Sequence, residues 1–185
     1  GSEMCIRDRY NSKGIPTNGI QGFVRHIFSA IKEIEPTHVA VCWDMGQETF
    51  RNEMYDGYKQ NRPAPPDELI PQFDYVKEIS HQFGFVNVGK RNYEADDIIG
   101  SLAETYSQEH EVYIITGDRD LLQCINHNVE VWLIKKGFTI YQRYTLDRFI
   151  DEYGLNPQQL IDVKAFMGDT ADGYSCLLYT SDAAD

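Results

Sequence analysis

The chain has 185 residues, is 42% hydrophobic and 12% aromatic, and carries 17 basic against 29 acidic residues for a net charge of −12. That length and apolar content support one folded core and exclude general disorder, and no apolar run approaches the roughly 20 residues of a membrane helix. Taken alone, the negative charge argues against an acidic partner such as nucleic acid.

The residues from Asn18 to Glu35 predict a helix, with Ile20, Phe23, Val24, Ile27, Phe28, Ile31 and Ile34 at 3.6-residue spacing. Thr17 or Asn18 can cap it, and Pro36 follows its end. A buried strand, His38 to Trp43, leads to Asp44, and a polar, basic segment runs from Gln47 to Arg62. Pro63-Ala-Pro-Pro66 breaks the chain before a second helix, Asp67 to Phe83. A strand at Phe85 to Val88 precedes a helix from about Glu94 to Tyr106. Glu111 to Thr116 reads as a strand ending at Gly117-Asp118, followed by a short helix. Val129 to Ile134 is a strand that turns through Lys135-Lys-Gly137 into another at Phe138 to Tyr141. Thr145 caps a helix to Tyr153, Gly154 ends it, and a last helix runs from Pro157 to about Met167.

Apolar strands alternating with amphipathic helices predict an α/β fold of three layers, a mostly parallel central sheet with helices on both faces. The ends differ from the rest. Residues 1–9 and 175–185 resemble translated sequencing-adaptor sequence and are expected to be non-native tails on a domain spanning 10–174. With no signal peptide and no CxxC pairing among Cys5, Cys42, Cys124 and Cys176, a cytoplasmic protein with reduced thiols is expected.

In parallel α/β folds, ligands bind beyond the carboxyl ends of the strands. Asp44 follows one strand there, and Asp118 and Asp120 follow another. Glu94, Asp96 and Asp97 open a helix between strands, and Asp169 and Asp172 close the last helix. Helix capping and turns explain any one of these groups. They do not explain the joint placement, because two like charges about 4 Å apart repel by around 4 kcal/mol at an effective dielectric of 20. An edge gathering this many acids calls for cations. Carboxylates without accompanying His or Cys suit Mg²⁺ or Mn²⁺, and two such ions about 4 Å apart are the usual clamp for phosphodiester hydrolysis. Setting these eight acids aside leaves a net charge of only a few units, which reopens the case for nucleic acid. Arg51, Lys59 and Arg62, at spacings suggesting one helical face, are candidates for holding phosphates. Tyr55 and Tyr58 are candidates for stacking on bases.

At these residues the chain resembles the 5′-nuclease family, which includes the N-terminal domain of bacterial DNA polymerase I, stand-alone bacterial 5′-3′ exonucleases and flap endonucleases. The matching runs are Trp43-Asp-Met, Thr49-Phe-Arg-Asn-Glu53, Gly57-Tyr-Lys-Gln-Asn-Arg62, Tyr93-Glu-Ala-Asp-Asp97, Thr116-Gly-Asp-Arg-Asp120 and Met167-Gly-Asp-Thr-Ala-Asp172. The resemblance implies a PIN-like fold and a DNA-cutting enzyme of replication and repair. Its substrate would be DNA with a free 5′ end or 5′ flap, bound by a monomer. Asp44, Glu94 and Asp96 would tend the first of two Mg²⁺ ions, Asp118, Asp120 and Asp172 the second, and Asp97 and Asp169 would act through water. Arg51, Lys59 and Arg62, with Tyr58 among them, would belong to the arch that grips the 5′ strand, Lys59 lying nearest the scissile phosphate.

Two features depart from the family pattern. Its usual first strand, ending in a ligand-bearing Asp-Gly, has no match here, since Asp8 has no strand before it. The glycine-rich helix-hairpin-helix expected after Asp172 is also missing, and Gly173 stands where Asn is common. A weak or inactive fragment of an active parent is therefore expected. The rivals are a haloacid-dehalogenase-type phosphatase, for which Gly168-Asp-Thr-Ala-Asp172 has one residue too few between its acids, and a module that binds branched DNA without cutting it.

Overall fold

The computed structural model describes residues 10–176 apart from 13, 15, 47, 61–62 and 136–139. The expected foreign tails therefore lie outside the described residues, except at Ser175 and Cys176, and so does Asp8. The chain divides into two compact units. The first comprises Gly1–Cys42, Ala64–Val88 and Lys135–Ile140; the second comprises Trp43–Pro63, Gly89–Ile134 and Tyr141–Asp185.

In the first unit, α1 (Asn18–Ile34) packs against α3 (Ile70–Gln82), and Phe28 meets Phe83 edge-on at 5.1 Å. The start of α1 is not capped by the side chain of Thr17. Gln72 of α3, fully buried, does that work from across the unit. Its Oε1 accepts from the Gly19 and Ile20 amides at 2.8 and 3.3 Å, while its Nε2 donates to Asn18 Oδ1 at 2.8 Å. A side chain at position 19 would press on Leu69 and on Gln72 Oε1, so the glycine admits this cap. Glu35 takes a left-handed conformation and donates its amide to the Ile31 carbonyl, ending α1 before Pro36 as expected. The short strands β1 (Ala40–Trp43) and β2 (Val86–Gly89) pair with each other.

The second unit is built on a three-stranded sheet of β3 (Val112–Thr116), β4 (Val129–Ile134) and β5 (Tyr141–Tyr144), in the order β3-β4-β5. β3 and β4 are parallel, with Ile114 opposite Val131. β5 runs antiparallel to β4, because the short connection between them can join only antiparallel neighbours. The first half of the strand expected at Phe138 to Tyr141 lies outside the described residues. Among those described, Ile134 pairs with Tyr141 and Val131 with Tyr144, so the strand runs three residues past its expected end. The extension puts Tyr144 into the core, fully buried, its hydroxyl donating to Glu152 at 2.8 Å.

Val129, Val131 and Leu133 project from one face of β4 into a core completed by Ala103, Leu121, Leu122, Ile125 and Phe149. These last five come from α4 (Ala95–Tyr106), from a 3-10 turn at Arg119–Cys124 and its following residue, and from α5 (Leu146–Tyr153). On the other face Trp132 is roofed by Tyr113, Tyr141 and the Arg143 guanidinium, 4.1 Å above its ring. The class is α/β as expected, but among the described residues the strands form two sheets rather than one. No helix among the described residues is long and apolar enough to cross a membrane.

Candidate metal and nucleic-acid site

All the described candidate residues belong to the second unit. Asp44 follows β1, and its Oδ1 accepts from the Ala95 amide at 2.7 Å, in the first turn of α4. Glu94 and Asp97 form a reciprocal capping box there, the Glu94 amide donating to Asp97 Oδ2 at 2.9 Å. Asp118 follows β3 and caps the 3-10 turn, its Oδ1 accepting from the Asp120 amide at 2.8 Å. Asp169 accepts from the Ala171 and Asp172 amides in the turn after α6 (Gln159–Met167). Capping thus accounts for where several acids point.

Capping does not account for Asp96, whose carboxyl is pushed up to about 6. Burial contributes most, followed by the negative charges of Asp118, Asp44 and Glu94, with Lys59 opposing them. Acids from three separate segments therefore press on one half-buried carboxyl, which an oxygen-seeking dication would relieve. The donor set is all carboxylate, so it fits Mg²⁺ or Mn²⁺. Among the described residues no three of these acids converge tightly enough to cage an ion as they stand. Oxygens of Glu94, Asp97, Asp120 and Asp169 are turned instead toward cations of the protein itself.

Arg51, on the short α2 (Phe50–Met54), donates through both terminal nitrogens to Asp97 at 2.7 and 2.6 Å. This fork holds the Asp97 carboxyl below the usual range and the guanidinium above its own. Lys59 Nζ donates to Glu94 Oε1 at 2.7 Å, and its backbone is left-handed, with φ of 55°. The hydroxyl of Tyr58 reaches both Glu94 oxygens, at 2.9 and 3.1 Å. Burial first, and then Glu94, raise that phenol far above its ordinary range.

Three expectations change here. Arg51 and Lys59 do not share a helical face, because α2 ends at Met54 and Lys59 stands in a turn. Their charges rest on the acids rather than forming a separate phosphate-binding surface. Tyr58, 5% exposed, has its ring packed away from solvent and offers no stacking surface in this conformation, whereas Tyr55 is exposed and stacks on Tyr174 at 5.2 Å. Arg62 lies outside the described residues.

Sequence reasoning missed Lys164. From α6 its Nζ donates to Asp120 Oδ2 at 2.5 Å and to Asp169 Oδ2 at 2.8 Å. Burial works to lower its pKa, but the two acids more than offset this and raise it. Its position in the last turn of α6 reads as an ordinary dipole-favoured lysine, so only its spacing of five residues before Asp169 could have drawn notice.

Gly173 was also underread. Its φ is 89°, and a Cβ there would lie 2.5 Å from the Gly57 carbonyl oxygen. The contact brings the turn after α6 against the Tyr55–Lys59 turn, where the Lys59 amide donates to the Asp172 carbonyl at 3.1 Å and Tyr55 Oη donates to Gly173 O at 3.1 Å. A side chain at this position would press on the Gly57 carbonyl and would not fit this packing as it stands.

Residues 4–154 match the family model for the N-terminal, resolvase-like domain of 5′-3′ exonucleases. The chain belongs to that family. It is 49% identical over 164 residues to the 5′-3′ exonuclease of Bacillus subtilis (strain 168), a match covering 89% of this chain and 55% of the relative. It is 43% identical over 164 residues to DNA polymerase I of Bacillus caldotenax, covering 88% of this chain and 19% of the polymerase. The chain therefore spans about half the length of the exonuclease and about a fifth of the polymerase. Among solved structures, the T5 D15 protein co-crystallised with metal ions superposes with a TM-score of 0.70 at 25% identity, covering 85% of this chain and 62% of that one. The matches to this exonuclease family leave the phosphatase reading without support.

Proposed function

We propose that this chain is the nuclease core of a DNA-cutting 5′-3′ exonuclease and 5′ flap endonuclease that works with two Mg²⁺ ions, for which Mn²⁺ can substitute. The observation that carries the reading is the gathering of carboxylates from separate segments around half-buried Asp96, with Asp44 bonded to the neighbouring Ala95 amide, Glu94 in the same turn and Asp118 at the end of β3. Asp44, Glu94 and Asp96 would hold the first ion and Asp118, Asp120 and Asp172 the second, with Asp97 and Asp169 acting through water. When bound, the ions would supply Lewis-acid stabilisation of charge on the attacking and leaving oxygens.

The chain's own residues orient and release. Arg51 fixes Asp97, and through the capping box fixes the start of α4 on which Glu94 and Asp96 stand. Lys59 and Tyr58 hold Glu94 while no phosphate is near. Lys59 then turns from Glu94 to the incoming phosphate, joined by Arg62 along the 5′ strand, while Arg51 stays on Asp97 with its charge close to that strand and exposed Tyr55 stacks on a base. The protein acts on DNA as a monomer.

The reading is tested by placing residues 10–174 in the matching segment of the Bacillus subtilis exonuclease and assaying a 5′-flapped duplex. Cleavage that needs Mg²⁺ and is abolished by Asp118→Ala supports it. Cleavage that survives either Asp118→Ala or chelation of divalent ions contradicts it.

A further inference from the structure

Lys164 places a single ammonium between two carboxylates that reach it from different segments, Asp120 from the 3-10 turn and Asp169 from the turn after α6. No other protein cation is seen on either acid among the described ion pairs. The contrast with Arg51 is informative. Arg51 holds Asp97 through two parallel bonds with a planar fork, and both partners are less exposed, at 30% and 22% against 43% for the Lys164 side chain. A lysine on a flexible four-carbon stem, nearly half exposed, can leave its partners for water at little cost. A guanidinium locked in a bidentate pair cannot do so as readily.

We propose that Lys164 is a tethered counter-cation for the second ion's acids, holding Asp120 and Asp169 together in the metal-free protein and giving them up when the ion binds. This rests on the two-ion reading above. An ammonium and a dication compete for the same Asp120 oxygens, and their charges repel. Lys164 therefore serves two opposed ends. It keeps the acids from driving each other apart before metal arrives, and because it engages two carboxylates where Lys59 engages only Glu94 at the first position, it lowers the affinity of the second position more. The second ion then loads last and leaves first. In this role Lys164 is a positioning residue, and it need not touch the substrate.

The test is a calorimetric Mn²⁺ titration of the full 185-residue chain, comparing wild type with Lys164→Met and Lys164→Arg, alongside thermal melts with and without chelator. Lys164→Met is expected to bind its weaker Mn²⁺ about tenfold more tightly, as removal of one like charge beside a partly solvated ion implies. The tighter site should be unchanged. The same variant should melt lower than wild type without metal and level with it when saturated. Lys164→Arg should keep the weaker site as weak as in wild type or weaker. Lys164→Gln provides the same comparison if the Met variant fails to fold. Unchanged or weakened Mn²⁺ binding in the Met and Gln variants overturns the proposal while leaving the two-ion reading intact. Absence of saturable Mn²⁺ binding in wild type overturns both.

Discussion

Arg51 and Asp97 form a two-point ion pair, with Nη1 and Nη2 at 2.7 and 2.6 Å from the two carboxylate oxygens, 46 residues apart in sequence. The pair does more than neutralise charge. Asp97 Oδ2 also accepts from the Glu94 amide, so the arginine of α2 fixes the capping box that starts α4. Replacing Arg51 with Met should therefore loosen the first turn of α4 and the acids it presents. The expected cost is about 1.5–3 kcal/mol at pH 7, the range for hydrogen bonds to charged groups. Because Arg51 depresses the folded-state pKa of Asp97, this stability is fully present above the carboxyl's ordinary value and is lost as pH falls through the depressed one. Urea melts of wild type and variant should differ most near neutrality and converge in acid.

Asp96 carries the opposite sign. Its folded pKa is raised to about 6, so its own contribution to the stability of the metal-free protein falls as pH rises from about 4 through 6, where the folded state would rather keep the proton. Asp96→Asn removes that penalty with little change of shape. Without divalent ions at pH 7.5, the variant should melt a few degrees higher than wild type. With Mg²⁺ the order should reverse, because wild type alone gains from the ion. A variant that melts lower than wild type without metal would show that Asp96 is not under this pressure.

Gly173 packs against the Gly57 carbonyl with a backbone that L side chains rarely adopt. Gly173→Asn should cost about 1–3 kcal/mol by overpacking, although Asn tolerates positive φ better than most residues. Gly173→Ala should also destabilise. The loss should be accompanied by faster amide exchange at Lys59, whose hydrogen bond to the Asp172 carbonyl crosses the same contact. Exchange that stays slow at Lys59 would place the strain elsewhere.

Much of this architecture was legible because it is written in local periodicity. The apolar stripe of α1, the Thr145 cap and Gly154 stop around α5, and the β4 strand all stand where the pattern puts them. The α2 helix was not legible, because five residues carry too little periodicity to separate from a loop. The extension of β5 to Tyr144 was not legible for a different reason, since Tyr144 enters the core through pairing with Val131 rather than through any local signal.

The acids themselves were legible by position, at strand ends and helix starts. Their partners were not, because partners are made by folding. Nothing near Lys164 in sequence announces Asp120, and nothing near Tyr58 announces Glu94. The expected shared helical face of Arg51 and Lys59 failed for a related reason, since α2 ends at Met54 and Lys59 stands in a turn. Charges that look unpaired along the chain meet their opposites across the fold.

The most direct test of the account is to locate Mn²⁺ by its anomalous scattering in crystals of the chain. The account predicts one peak in contact with carboxylates of the Asp44, Glu94 and Asp96 group and a second among Asp118, Asp120 and Asp172, with Lys164 Nζ withdrawn from Asp120. Mn²⁺ bound at neither group at saturating concentration, with Lys164 still bridging Asp120 and Asp169, would contradict it.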